Sequence, residues 1–351
     1  MAKIAFFSTQ AYDRRFFENT SEKHHFEFFE TRLKKNTLQL ADGFDGVCVF
    51  VNDKLDAEIL KGLSDMGVGL VALRCAGFNN VDLKAAEKYN IRVMRVPAYS
   101  PEAVAEHAFA LILTLARKTH KAYNRVRDGN FSLERLTGFN VFGKTIGVIG
   151  TGKIGQAFIR IAKGFGAKVL AYDKYPSEEM KKNGVKYMEL DEVLAQCDIL
   201  SLHCPLTPET HHLIKKETLD KMKKGTMLIN TSRGKLVDTS AVIDSLKEDH
   251  LGSLGIDVYE QEEKLFFRDL SEVIIRDDQI ARLMLFPNVL VTAHQGFFTK
   301  ESLEEITRIT LKNFDDYDSK RDSENEVSCK QLKTNGIAAP HNDCSEKENK
   351  K

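Results

Sequence analysis

The chain has 351 residues, is 42% apolar and 29% charged, and balances 51 basic against 51 acidic side chains to a net charge of zero. There is room for two domains with proper cores, and nothing in the charge marks an electrostatic nucleic-acid binder. Six cysteines without a Cys-x-x-Cys pair, a short N-terminal apolar run and no apolar run near the ~20 residues of a membrane helix lead to the expectation of a reduced, cytoplasmic protein with no membrane partner.

Short apolar runs alternate with helical spacing over the first part of the chain. Strands are expected at Lys3 to Phe7, Phe26 to Glu30, Val47 to Val51, Leu70 to Arg74 and Ile91 to Val96. Helices are expected at Thr9 to Asn19, Leu55 to Leu63 and Asn80 to Lys88, the last capped by Asn80. This alternation implies a parallel sheet covered on both faces, complete before residue 100. Arg74-Cys-Ala-Gly-Phe-Asn-Asn80 follows a strand, where open α/β sheets bind ligands. The amides of Ala76 and Gly77 are candidates to hold a carboxylate; an ordinary strand-to-helix turn explains the run equally well. Tyr99, in the rigid Pro97-Ala-Tyr-Ser-Pro101 connection, either faces a cleft or simply packs.

Ser100 and Pro101 open a helix to about Lys118 that is apolar most of the way round, so it is expected to be buried on all sides. Residues 119–143 follow as a partly charged connection, read as an arm across a partner.

Thr145 to Ile149 is a buried strand, followed by Gly150, Gly152 and Gly155 in a G-x-G-x-x-G pattern, a helix, and a strand from Lys168 to Tyr172 ending on Asp173. Each part suits a dinucleotide. Gly150 permits the tight turn, Gly152 lets the backbone approach a pyrophosphate, and Gly155 lets helix and strand pack closely. The helix start favours the anion. Asp173 is placed to accept from an adenosine ribose and would repel a 2′-phosphate, which selects NAD over NADP, although Lys174 offsets part of that charge.

Further strands are expected at Ile199 to His203, Thr226 to Asn230, Leu254 to Val258 and Asn288 to Thr292, with short helices at Asp191 to Ala195, Leu219 to Met222 and Ser240 to Lys247. Arg233, Glu262 and His294 each follow a different strand of this second sheet. Reduction of a 2-keto acid by hydride needs a cation for the carboxylate and carbonyl, a proton donor, and a carboxylate to orient that donor. Arg233, His294 and Glu262 fit those roles in that order. Glu262 stands between Glu260 and Glu263 in an acidic run, so spacing alone also allows a wet surface face there. From Asp318 the composition turns polar, and residues 318–351 read as a disordered tail.

The runs Arg74-Cys-Ala-Gly-Phe-Asn-Asn80, Arg95-Val-Pro-Ala-Tyr-Ser-Pro-Glu-Ala-Val-Ala-Glu-His107, Gly147-Val-Ile-Gly-Thr-Gly-Lys-Ile-Gly155, Ile229-Asn-Thr-Ser-Arg-Gly234, Asp257-Val-Tyr-Glu260 and Thr292-Ala-His-Gln295 together resemble the D-isomer-specific 2-hydroxyacid dehydrogenases, and among them the fermentative D-lactate-forming enzymes. The resemblance implies an α/β fold of two doubly wound parallel sheets. One is a Rossmann-type NAD-binding domain, 101–295, with a dimerisation helix and arm at 101–143; the other is a flavodoxin-like substrate domain, 1–100 with 296–317. It implies catalysis by Arg233, Glu262 and His294. It implies NAD contacts at Lys153, Ile154, Asp173, Cys204, Pro205, Thr231, Ser232 and Asp257. A substrate carboxylate would sit at Ala76 and Gly77, with Tyr99 and Phe297 lining the pocket. No metal is expected. The expected protein is a homodimer reducing pyruvate with NADH. The competing expectations are a dehydrogenase for a bulkier D-2-hydroxy acid and an NAD-sensing, corepressor-like binding protein.

Overall fold

The computed structural model describes residues 2–18 and 23–329. The chain divides into two compact units, Met1–Ser100 together with the chain from Thr299, and Pro101–Phe298.

The first unit begins with β1 (Lys3–Phe6), α1 (Ala11–Glu18), β2 (His25–Phe28), β3 (Gly46–Val49), α2 (Ala57–Asp65), β4 (Leu70–Leu73), α3 (Leu83–Lys88) and β5 (Arg92–Arg95). The second contains α4 (Pro101–Arg117), α5 (Thr119–Arg127), β6 (Thr145–Ile149), α6 (Lys153–Gly164), β7 (Lys168–Tyr172), α7 (Glu178–Lys182), β8 (Lys186–Tyr187), α8 (Leu190–Gln196), β9 (Ile199–Leu202), α9 (Lys216–Leu219), β10 (Thr226–Asn230), α10 (Thr239–Lys247), β11 (Leu251–Ile256), α11 (Asp278–Leu285) and β12 (Val289–Val291). The last helix, α12 (Lys300–Asp318), belongs to the first unit.

In the first unit the strands are parallel in the order β2-β1-β3-β4-β5. Strands β3 and β4 are buried along their whole length, which is why they read as continuous apolar runs. Ile4, Phe6, Phe17, Leu70, Ala72 and Phe314 form the core, so α12 completes this unit although the second unit lies between it and β5 in the sequence.

In the second unit seven parallel strands run β12-β11-β10-β9-β6-β7-β8. The direction of winding reverses between β6 and β9, the place where such sheets open a ligand crevice. Alternate residues of the strands feed two apolar layers. Ile146, Val148 and Ile229 pack with Phe109, Ile112 and Phe158 of α4 and α6. Leu200, Leu228 and Leu254 pack with Val193, Ile243 and Leu283 of α8, α10 and α11.

Several expectations are corrected. Asn80 does not cap α3: Asp82 does, accepting from the Ala85 amide at 3.0 Å, while Asn80 donates to the carbonyls of Phe50 and Asp53. Helix α4 is buried round most of its circumference within the chain but leaves a stripe at Glu102, Glu106 and Ala110 exposed. The expected arm contains a helix, α5, with no buried residue. Helices α7 and α11 and strand β8 were not foreseen; the first two are short and the last has two residues. The polar tail is not uniformly disordered. Met94 bridges to Glu326, Val327 donates to the Val93 carbonyl at 2.8 Å, and Arg95 donates to the Asn325 carbonyl at 3.0 Å, so this segment covers the β5 edge in antiparallel register. Asn19 of the expected first helix and residues 330–351 of the expected tail lie outside the described residues.

Candidate active site

The β6–α6 turn is shaped by its glycines. Gly150 has φ +93°, and a Cβ there would lie 2.6 Å from the Cys204 nitrogen. A Cβ on Gly155 would meet the Gly150 carbonyl oxygen at 2.1 Å. Gly152, the N-cap of α6, has nothing within 4 Å of its would-be Cβ, so the helix start is open on that side. The first-turn amides of a helix have no partner within it, which suits them to an anion.

Asp173, at the end of β7, accepts from the amide and the hydroxyl of Thr151, the latter at 2.9 Å, and from the Tyr175 amide at 2.8 Å. It is therefore held beside the glycine turn. Lys153 is exposed and Ile154 half-buried at the start of α6. On the other side of the winding reversal, the Cys204 carbonyl accepts from the Ser232 hydroxyl at 2.7 Å, and Pro205 is exposed. Burial pushes the Cys204 thiol up to about 12, which keeps it neutral. The Thr231 hydroxyl is buried and has no hydrogen-bond partner among the described residues. An orphaned hydroxyl costs stability unless something binds it. The open helix start, the tethered Asp173 and this hydroxyl fit a dinucleotide along the β6–β9 opening.

Strands β10, β11 and β12 are neighbours, so the loops that follow them emerge side by side. Asn230, 1% exposed, ends β10 and shapes the first loop: its side chain accepts from the Ser232 amide at 3.0 Å and donates to the Arg233 carbonyl at 2.9 Å. Gly234 then passes directly over the second loop, where a Cβ would fall 2.1 Å from the Tyr259 carbonyl carbon. Arg233 is half-buried between them, its Nη1 donating to the Ser232 carbonyl at 2.8 Å. It forms no ion pair among the described residues, so its charge is available to an anion.

Glu262 lies 3.1 Å from His294, Oε1 to Nδ1, and its other oxygen accepts from the Tyr259 amide at 3.0 Å. The neighbouring Glu260 is engaged elsewhere, with His212 at 2.7 Å and the Thr239 amide at 2.8 Å. His294 is in the left-handed region, φ +54°, and Phe267 packs on its ring with centroids 5.9 Å apart. An imidazole tied at Nδ1 presents Nε2 for proton transfer, and a free guanidinium on the adjoining loop is suited to a carboxylate.

In the first unit, Arg74 is a buried core cation, 2% exposed. It donates to the carbonyls of Phe7 and Ser8, pairs with Asp13 at 3.3 Å, and lies over the Phe6 and Phe50 rings. Burial works against its charge, but Asp13 first, with Cys48, Asp53 and Tyr12, more than offsets this and holds the guanidinium protonated. Beyond it, the Ala76 carbonyl accepts from Arg95 at 2.6 Å and the Gly77 carbonyl from the Cys75 thiol at 3.3 Å. The amides of Ala76 and Gly77 donate to no described residue, so this turn presents N–H groups. Tyr99 is half-buried beyond β5. Phe297, 7% exposed, belongs to the second unit and meets the Phe298 ring edge-on at 6.0 Å.

Residues 109–296 match the family described as D-isomer specific 2-hydroxyacid dehydrogenase, NAD binding domain. A 2-hydroxyacid dehydrogenase homolog of Haemophilus influenzae is 53% identical over 89% of this chain and 95% of its own length. The chain belongs to the D-isomer-specific 2-hydroxyacid dehydrogenases. The apo structure of D-lactate dehydrogenase from Escherichia coli is similar with a TM-score of 0.85 and 48% identity, covering 93% of this chain and 99% of that one. The Aquifex aeolicus D-lactate dehydrogenase complexed with NAD and lactic acid gives a TM-score of 0.80 and 36% identity, covering 90% and 95%. The two parallel α/β sheets and the NAD-binding domain are those of this dehydrogenase family.

Asp257, an NAD contact by resemblance, is 1% exposed, and its carboxylate accepts from the Thr292 hydroxyl at 2.5 Å and the amides of Gln295 at 2.9 Å and Gly296 at 2.8 Å. Burial pushes its carboxyl up, but hydrogen bonds from His107 and Thr292 outweigh this and hold it below the usual carboxylate range. Sequence reasoning in this dehydrogenase missed His107, Thr292, Asn230 and Phe267. Each touches the loops that carry Arg233 or His294; His107, Asn230 and Thr292 stand within the family-like runs, which was the signal that could have found them, and Phe267 stands in none.

Proposed function

We infer that this enzyme is an NAD-dependent D-lactate dehydrogenase, converting pyruvate, NADH and a proton reversibly to D-lactate and NAD⁺. The observation that carries this reading is the His294–Glu262 contact at 3.1 Å beside an Arg233 with no ion pair. The Escherichia coli and Aquifex relatives, both D-lactate dehydrogenases, support the substrate.

Bound NAD supplies or accepts the hydride at the substrate's C2. The guanidinium of Arg233 takes the substrate carboxylate and draws electron density from the carbonyl. The imidazole of His294 delivers its Nε2 proton to the carbonyl oxygen as it becomes a hydroxyl, and takes it back in lactate oxidation. Glu262 holds Nδ1 and so fixes the ring with Nε2 toward the reacting oxygen. Gly150, Gly152, Lys153, Ile154 and Gly155 serve the pyrophosphate, Asp173 the ribose, and Cys204, Pro205, Thr231, Ser232 and Asp257 line the remaining cofactor path. The amides of Ala76 and Gly77 serve the substrate carboxylate in this reading, with Tyr99 and Phe297 as pocket residues.

The working form is a homodimer. Helix α5 buries no residue within the chain, and Tyr123 (63%), Phe131 (75%), Leu133 (81%) and Phe142 (78%) are exposed around it. These large exposed apolar side chains within residues 123–142 support an interface there. A cytoplasmic site of action is supported by the four buried thiols Cys48, Cys75, Cys197 and Cys204, but Cys329 is disulfide-bonded, so the chain is not fully reduced as the sequence led one to expect. Among the described residues no helix is long and apolar enough to cross a membrane.

The test is NADH oxidation across a panel of 2-keto acids from pyruvate to branched and aromatic ones, with stereospecific assay of the product. Pyruvate should give the highest kcat/KM and a D-product. A maximum at a bulky acid would replace the substrate, and negligible turnover with all of them, together with a stable protein partner, would make the chain an NAD-sensing binding protein. Sedimentation equilibrium checks the dimer.

A further inference from the structure

Behind His294 lies a second histidine that the reaction does not touch. His107 is on α4, with its side chain 15% exposed. Its Nε2 is 3.0 Å from the Thr292 hydroxyl and 3.3 Å from Oδ1 of Asp257. Thr292 donates to the same Asp257 oxygen at 2.5 Å, and this oxygen also accepts from the Gln295 amide at 2.9 Å. The other carboxylate oxygen accepts from the Gly296 amide at 2.8 Å, and the Asp257 carbonyl accepts from the His294 amide at 2.8 Å. Residues 292–296 are therefore wound round one buried side chain.

This winding has a purpose that can be read from the backbone. His294 is held at φ +54°, a conformation costing a non-glycine residue roughly 1–2 kcal/mol. Such a residue keeps that conformation only where its surroundings over-determine it. An ionised carboxylate only accepts, so the Nε2 proton of His107 lies between the ring and the Thr292–Asp257 pair. Without it, a carboxylate 1% exposed loses its one contact with a side chain able to carry a positive charge. The loop that aims His294 would then be free to rearrange.

We propose that His107 is a positioning residue for catalysis: through Thr292 and Asp257 it fixes the loop that holds His294 in its productive orientation. The proposal rests on the dehydrogenase reading for its kinetic test but not for its spectroscopic one. His107→Gln keeps an N–H close to the Nε2 position and His107→Leu does not; Thr292→Ser keeps the hydroxyl and Thr292→Val does not.

The experiment compares steady-state kinetics in both directions and the ¹⁵N spectrum of histidine-labelled full-length protein for wild type and these four variants. His107→Leu and Thr292→Val should each lower kcat in both directions about 10- to 100-fold, with KM for pyruvate within about threefold of wild type. The His294 ring resonances should move in both. His107→Gln and Thr292→Ser should recover kcat to within about fivefold of wild type. The double variant should lose little more than either single one, because the two act as a unit. Wild-type kcat in His107→Leu, a loss confined to KM, additive losses, or an unmoved His294 resonance would each overturn the proposal. If His107→Leu does not fold, the Thr292 pair decides by the same readings. A wild-type protein inert toward every 2-keto acid would remove the pyruvate reading, and the His294 resonance would still decide this one.

Discussion

Replacing Asp173 by alanine separates two jobs of one carboxylate. Three of its roughly four acceptor positions are filled, by the Thr151 amide and hydroxyl and by the Tyr175 amide, leaving one for a ribose hydroxyl. A hydrogen bond to a charged acceptor contributes about 1.5–3 kcal/mol. Its loss should weaken NADH binding about 10- to 150-fold. For NADPH the sign is opposite. Removing a negative charge about 5 Å from a 2′-phosphate in a half-exposed site relieves about 1–2 kcal/mol of repulsion. The preference for NADH over NADPH should thus fall by about 50-fold or more.

The complication is that Asp173→Ala also unties the glycine turn. Thr151→Val controls for this. It deletes the hydroxyl that bonds Asp173 at 2.9 Å and receives the Tyr187 hydroxyl at 2.9 Å, but leaves the carboxylate in place. It should weaken both cofactors alike. Fluorescence titration of NADH and NADPH on the three proteins gives the four ratios needed. An unchanged preference in Asp173→Ala, or the same change in Thr151→Val, would refute the ribose contact.

Other substitutions test the remaining assignments. Arg233→Lys should raise KM for pyruvate and lower kcat, because a point charge cannot grip carboxylate and carbonyl together; steady-state kinetics at saturating NADH measures both. Glu262→Gln should lower kcat in both directions by about 10- to 100-fold, while Glu260→Gln should leave kcat nearer wild type and lower Tm, since Glu260 serves His212 and the start of α10. Gly234→Ala places a Cβ 2.1 Å from backbone of the neighbouring loop, which should cost about 1–3 kcal/mol of stability and displace Arg233, seen as a lower Tm with a raised KM. Asn325→Ala removes the bond to the fully buried Asn313 at 2.8 Å and should cost about 1–3 kcal/mol, lowering the calorimetric Tm by several degrees; no change would mean that the segment after α12 does not pack on the first unit.

The parts of this protein legible in its sequence are those whose signal is local. A β-branched run, three spaced glycines and a terminal acid lie within thirty residues, and the β6–α6–β7 unit forms where they stand. The placement of Arg233, Glu262 and His294 after successive strands was legible for a related reason: parallel strands all point their ends to one edge. What spacing alone left open was which of three nearby glutamates meets His294. Backbone bonds decide it, because the Tyr259 amide turns Glu262 inward and the Thr239 amide takes Glu260. The tail misled for the converse reason. Asn, Ser and Glu read as solvated in a sequence, yet Asn325 and Glu326 have fixed partners in Asn313 and Arg92, and composition carries no record of a partner.

His107 shows the limit most sharply. It closes one of the family-like runs without any role attached to it, and its contact with Thr292 spans 185 positions. Nothing within α4 calls for a histidine; the need arises at Asp257, a carboxylate buried at the end of β11. That carboxylate is in turn required by the amides of Gln295 and Gly296, which are left without strand partners once the chain turns to present His294. The sequence of causes runs from the orientation of one imidazole, through a loop and a buried charge, to a helix at the other end of the domain. Each step is a hydrogen bond that only the closed fold makes, so a substitution on α4 should be read out first in the turnover number and only afterwards in stability.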